Sequence, residues 1–185
     1  MSRNTTWVNS DGLAVGFGTH TEDNGVAAVT GDGVYKTLVV KLEDATALEE
    51  LASLTVASFK PQDVTIPRGS RIMSASFQVT AAFTTAASGA LNIGTNRGIT
   101  GAYTADDENG IDAAIAATAL DAIGAVVACD GALVAGVTSA GAASTSDVKV
   151  AFSYTTGVFT AGAGILTVRY IEPQLDQGSS FAAVE

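Results

Sequence analysis

Residues 63–83, DVTIPRGSRIMSASFQVTAAF, constrain the fold more than any other stretch of the chain. A short approach strand holding Val64 and Ile66 runs into a Pro67-Arg68-Gly69 turn, and a longer strand leaves it. Proline cannot donate to a strand ladder, so Pro67 belongs at a strand entry. Beyond the turn, Met73, Ala75, Phe77, Val79 and Ala81 alternate with Ile72, Ser74, Ser76, Gln78 and Thr80. The first set is the apolar one, which predicts a half-buried antiparallel strand. Arg68 and Arg71 are the polar marks at its corner.

The flanking segments repeat this grammar. Residues 34–43 set Lys36, Leu38, Val40 and Leu42 against Tyr35, Thr37, Val39 and Lys41, and predict a second strand. Residues 44–54 carry Leu48, Leu51 and Ala52 at helical spacing, with Asp44 or Thr46 able to cap, and predict a short helix or a coiled loop. Residues 55–59 predict a brief strand, residues 90–94 another, and residues 125–128 and 133–138 strand pieces on either side of Asp130-Gly131. Ile111, Ile115, Ala119 and Ala122 fall on one helical stripe. Asp112 in the first turn and Gly124 just past the end predict a helix over 112–123. Val148, Val150, Phe152 and Tyr154 alternate inward, a turn falls between Thr155 and Gly164, and residues 165–171 return as the second strand of a hairpin.

Many short strands, glycine-punctuated turns and one short helix predict an all-β fold, a jelly-roll-like antiparallel β-sandwich. The expected organisation is an extended N-terminal arm over 1–33, the sandwich over 34–173 and a polar C-terminal tail over 174–185. The 185 residues suffice for one real core, since a chain of this size buries roughly 70% of its extended surface. Hydrophobic residues make up 47% but aromatics only 6%, so that core is expected to be built of Ala and β-branched side chains between thin sheets.

The charge pattern excludes some functions. Nineteen acidic against nine basic residues give a net charge of -10, which argues against binding a phosphate backbone. Asp, Gly and Thr break every apolar run short of a bilayer's thickness, so no membrane span is expected. Cys129 is the single cysteine and His20 the single histidine, far apart in sequence. No Cys/His or Ser/His pair has local support, no cofactor motif is present, and a chain that folds in a reducing cytosol is expected. Cys129, beside an apolar run, reads as a buried small hydrophobe. The cluster Asp106-Asp107-Glu108-Asn109-Gly110 with Asp112 is dense enough to consider a hard cation, but it lacks the spacing of a calcium loop. A solvated acidic loop is the simpler reading, and neither a metal site nor an enzyme is expected.

In the arm, Trp7, Val15 and Phe17 are large apolar side chains in a polar, glycine-rich segment. Such side chains usually fold back on their own domain. The sharper alternative is that the arm crosses a protein interface with Trp7 at its centre.

Five segments, in order and spacing, carry a resemblance: RNTTWVNSDGLAVGFGT, VYKTLVVKL, DVTIPRGSRIMSASFQV, GIDAAIAATAL and FTAGAGILTVRYIEP. Together they resemble small virion structural proteins of tailed phages, of the kind carried by marine and cyanobacterial phages. The resemblance covers most of the chain up to Pro173. It implies a capsid decoration or cement protein, a jelly-roll-like subunit, commonly a homotrimer, that binds the major capsid protein on the outside of the head and has no active site. Arg3, Trp7, Val15 and Phe17 match the family's N-terminal arm and are expected to contact the shell or a neighbour. Phe181, in the tail outside the resemblance, is a further candidate contact. The competing expectation is a tail-associated module that recognises a receptor or glycan through loops around 96–109. A major shell subunit is disfavoured by the small size of the chain.

Overall fold

The computed structural model describes residues 5–8, 14–17, 27–30, 35–53, 65–97, 105–134 and 147–172. Ten strands form among them. They are β1 (Thr5–Val8), β2 (Ala14–Phe17), β3 (Ala27–Thr30), β4 (Tyr35–Leu42), β5 (Arg71–Thr85), β6 (Ala90–Asn96), β7 (Ala105–Ala116), β8 (Val126–Cys129), β9 (Lys149–Thr155) and β10 (Phe159–Ile171). All ladders are antiparallel. β1 and β2 pair with each other, a five-stranded sheet runs in the order β3-β4-β10-β5-β8, and a three-stranded sheet runs β7-β6-β9. Side chains from the five- and three-stranded sheets merge in one core, so the chain is an all-β sandwich.

The Pro67 corner forms as its residues dictate. Ser70 N donates to Pro67 O at 3.1 Å, and Gly69 at φ 77° supplies the left-handed residue such a turn requires. Ile66 bridges to Val148 through two backbone bonds of 2.8 and 2.9 Å, which ties the approach segment to the three-stranded side. β5 then runs for 15 residues at the centre of the large sheet, between β10 and β8.

An aromatic row crosses the core from one sheet to the other. Phe77 of β5 stands 6.2 Å, centre to centre, from Phe152 of β9 and 5.9 Å from Phe83, and Phe83 stands 5.3 Å from Phe159. Edge-to-face contacts of this kind add to the area they bury. Phe77 and Phe83 also lie over Gly164 and Gly162 of β10, filling the space a side chain would take there. Gly162 sits at φ 142°, where a side chain is strained.

Several expectations need correction. Near the start of β5 the alternation slips: Arg169 pairs with Ser74 and Tyr170 with Ile72, so Met73 is the extra residue of a bulge. Ile72 therefore faces the core, Met73 is exposed, and Ala81 is exposed as well. The helix expected over 112–123 is absent. Its first part is the end of β7, followed by a 3-10 turn at Ala117–Ala119. β7 pairs with β6 through register shifts, and Ile111 and Ile115 are both buried. A lone alanine-rich helix of this length is marginal, whereas pairing with β6 satisfies the backbone and buries both isoleucines.

The hairpin expected from 148–171 is instead an arch. β9 pairs with β6 in the small sheet and β10 with β4 and β5 in the large one, so the two inward rows face each other across the core. The arm expected over 1–33 contains a strand pair, with Trp7 opposite Val15 and Thr5 opposite Phe17, and β3 joins the large sheet beside β4. Residues 44–54 hold two 3-10 turns, Ala45–Ala47 and Leu51–Ser53, and Asp44 caps the first by accepting from Thr46 N at 2.8 Å. Leu133 and Val134 lie in a turn, while the rest of 133–138 and all of 55–59 fall outside the described residues. The strand expected at 90–94 extends to Asn96.

Candidate interaction surface

The outer face of the five-stranded sheet is set by register. Four cross-strand rows cover it: Lys41-Ile165-Gln78-Val126, Val39-Thr167-Ser76-Ala128, Thr37-Arg169-Ser74 and Tyr35-Ile171-Arg71. Val, Ile and Thr are there because β-branched side chains fit a pleated surface. The functional feature is what the rows lack. In a chain with 19 acidic residues, none of these positions holds a carboxylate, and three hold a cation. Apart from Arg169, the two middle rows carry only Val, Thr, Ser and Ala side chains, so the face is flat there.

At one end of this face a cleft of about 350 Å3 opens beside Arg169, with Tyr35, Lys36 and Met73 on its walls and Tyr170 reaching it from the core side. Burial, with Glu172 nearby, pushes the Tyr170 phenol up to about 12, so it remains a neutral hydroxyl. The cleft sets the Arg169 cation beside two exposed apolar groups, an environment for a partner that is both acidic and apolar.

The acidic stretch of β7 is largely turned inward. Asp106 accepts from Thr95 Oγ1 at 2.9 Å and from Arg97 Nε at 3.0 Å, one bond to each carboxylate oxygen, and its side chain is only 5% exposed. This replaces the solvated loop expected from sequence. Replacing Arg97 with alanine should cost about 3 kcal/mol in urea denaturation, because one partner of a nearly buried pair is removed. A loss under about 1 kcal/mol would mark the pair as an ordinary surface bridge. Burial, and secondarily Asp106, raise Asp107 above the ordinary carboxylate range, opposed by a bond from the Asn109 backbone.

Asp112 and Cys129 meet on the core side of β7 and β8, both buried. Burial, and then the Asp112 carboxyl, push the Cys129 thiol up to about 12, which leaves no thiolate nucleophile at neutral pH. Burial and the neighbouring Asp130 raise Asp112 in turn. A carboxyl whose folded value lies above its unfolded one keeps its proton in the fold after the unfolded chain has lost it. Its contribution to stability therefore falls as pH rises from the ordinary carboxylate range through the raised value. Asp112→Asn should accordingly raise the Tm at pH 7 and flatten the decline in Tm between pH 4 and 7. An unchanged pH profile would contradict this assignment. Among the described residues, no three or more His, Cys, Asp or Glu side chains are grouped to hold a metal ion.

The expected contact residues fall at the margins of what is described. Trp7, Val15 and Phe17 belong to the β1–β2 pair. Arg3, His20 and Phe181 lie outside the described residues, as do 98–104 of the loop considered for glycan binding. The sheet face was not singled out from sequence, although the signal was present: the polar sides of three separate strands carry no acid. No family model matches the chain, and searches of curated proteins and of solved structures give no match either.

Proposed function

We propose that this chain is a virion structural protein, a capsid decoration or cement protein that binds the outside of a phage head and stabilises the junctions between capsomers. The observation that carries the reading is the flat, carboxylate-free outer face on a chain of net charge -10. An acidic protein with one broad face free of acid has a side suited to being covered, and the remaining charge keeps crowded copies apart. The resemblance of five segments to small virion proteins of tailed phages supports the same reading, as does a two-layer scaffold whose Asp106, Asp112 and Cys129 are engaged internally. Affinity for a shell would be multiplied by the repetition of sites on it.

A tail-associated receptor- or glycan-binding module is the second reading, favoured by one feature, the cleft in which exposed Tyr35 stands beside Arg169. Co-sedimentation of the purified protein with undecorated heads separates the two. Saturable binding that Lys41→Glu with Arg71→Glu weakens at least tenfold is expected. Failure to sediment with heads, together with retention on a glycan surface, would reverse the order. Deleting residues 1–17 tests the arm in the same assay: loss of attachment with an unchanged Tm is expected, and full attachment would show that the sheet face alone grips.

A further inference from the structure

The turn between β7 and β8 has the opposite character to the cleft. It carries Asp121 and Ile123, both exposed, and Ile123 is 74% exposed, the highest value among the large apolar side chains described. The turn is also rigidly held. Leu120 at its base is fully buried, Phe83 N donates to Leu120 O at 2.9 Å, and Gly124 N donates to Val79 O at 2.9 Å. Ala125 N closes it on Ala122 O at 3.1 Å, and Gly124 at φ 84° reverses the chain. An isoleucine held out into water on a pinned turn, with a carboxylate two residues away, does nothing for the fold of its own copy.

The cleft offers the complement. Tyr35 and Met73, 67% and 51% exposed, supply apolar walls, and Arg169 supplies positive charge. Its volume of about 350 Å3 lies at the small end of ligand clefts, which run roughly 300–1,000 Å3, and suits a few side chains better than a large cofactor. The cleft borders Ser74 near the start of β5, while the turn is pinned to Val79 and Phe83 further along the same strand. At about 3.3 Å per residue the two are roughly 15–30 Å apart, and the pinned turn cannot reach its own cleft.

We infer that copies of this chain join head to tail, the Asp121–Ile123 turn of one copy seated in the Tyr35–Arg169 cleft of the next. Ile123 packs on Tyr35 and Met73, and Asp121 meets Arg169. A contact between two different patches is heterologous, so it closes into a ring or runs on as an array according to the rotation it imposes. Both parts are preformed, which lowers the ordering cost of association. The inference does not rest on the decoration reading, though it would supply the neighbour contact that a tiled protein needs.

The test is light scattering coupled to size exclusion, on the full chain at low and high salt. Wild type is expected to run as an oligomer that loosens with salt. Ile123→Lys and Arg169→Asp should each weaken association at least about tenfold while leaving the Tm unchanged, as expected for exposed contact residues. Asp121→Arg combined with Arg169→Asp in one chain should restore it. Mixing the Ile123→Lys chain, whose cleft is intact, with the Arg169→Asp chain, whose turn is intact, should give dimers and nothing larger. A wild type that stays monomeric at low salt overturns the inference, and so does an oligomer indifferent to both substitutions or a mixture that forms no dimer. Head binding is measured separately, so a monomer that decorates heads sinks this contact alone, and a ring that ignores heads sinks the decoration reading alone.

Discussion

Phe77→Ala should lower the free energy of unfolding by about 4 kcal/mol, the middle of the range for deleting a buried aromatic side chain. Phe77 is fully buried and does three jobs: it meets Phe83 within its own strand, meets Phe152 across the sandwich, and covers Gly164 on the neighbouring strand. Truncation opens a cavity at the point where the two sheets touch, and β10 cannot fill it because it offers only hydrogen atoms at Gly164. Phe77→Leu should recover about half the loss, since it restores volume without the edge-to-face geometry. Urea denaturation of the three proteins checks this, and a loss below about 2 kcal/mol for the alanine variant would mean that the sheets are joined elsewhere.

Gly94→Ala should cost about 3 kcal/mol or more, at the top of the usual range for overpacking, because the neighbour is backbone and has no rotamer to change. A Cβ at Gly94 would collide with the backbone of Asp107 and Glu108. Opposite Gly94, β7 advances from Asp107 to Asp112 while β6 advances only from Thr95 to Ile93, so a wide bulge sits against this glycine. On the bulge's other side Gly131 makes the second close approach, with Gly131 N donating to Ile111 O at 3.0 Å and Leu133 N donating to Gly110 O at 2.8 Å. The bulge is clamped between two glycines. Hydrogen exchange should show the β6–β7 ladder opening first in the variant. Protection there equal to wild type would contradict the clamp.

How much of this was legible in the sequence depends on how locally each feature is encoded. β4, β5, β8 and β10 announce themselves because alternation over several residues is a local property, and the Pro67–Gly69 corner because its turn chemistry is. β7 is hidden because a spacing of four between Ile111 and Ile115 fits a strand's period of two and a helical stripe alike, while register shifts break the alternation around them. The arch between β9 and β10 has the same local pattern as a hairpin, and only the partner strands β6, β4 and β5 distinguish them. Met73 was assigned to the core because a single bulge opposite Arg169 and Tyr170 leaves no trace in the alternation.

The candidate surface was less legible still. Lys41, Arg169 and Ser74 are far apart in sequence and become neighbours only through the registers of β4, β10 and β5. The conspicuous features of the sequence are Trp7 in the arm and the acids of 106–112, of which the fold uses Asp106 on Thr95 and Arg97 and Asp112 on Cys129. Exposed Ile123 was counted as the end of a helix. In the sandwich it is the tip of a pinned turn, and its exposure becomes a physical observation only once that helix is gone.

Antibody labelling of virions, with the copy number per particle measured from the same preparation, tests the central claim most directly. A sandwich made to serve as one tile among many should be found in many copies spread over the head. Label confined to the tail in a few copies, or absent from the particle, would contradict it.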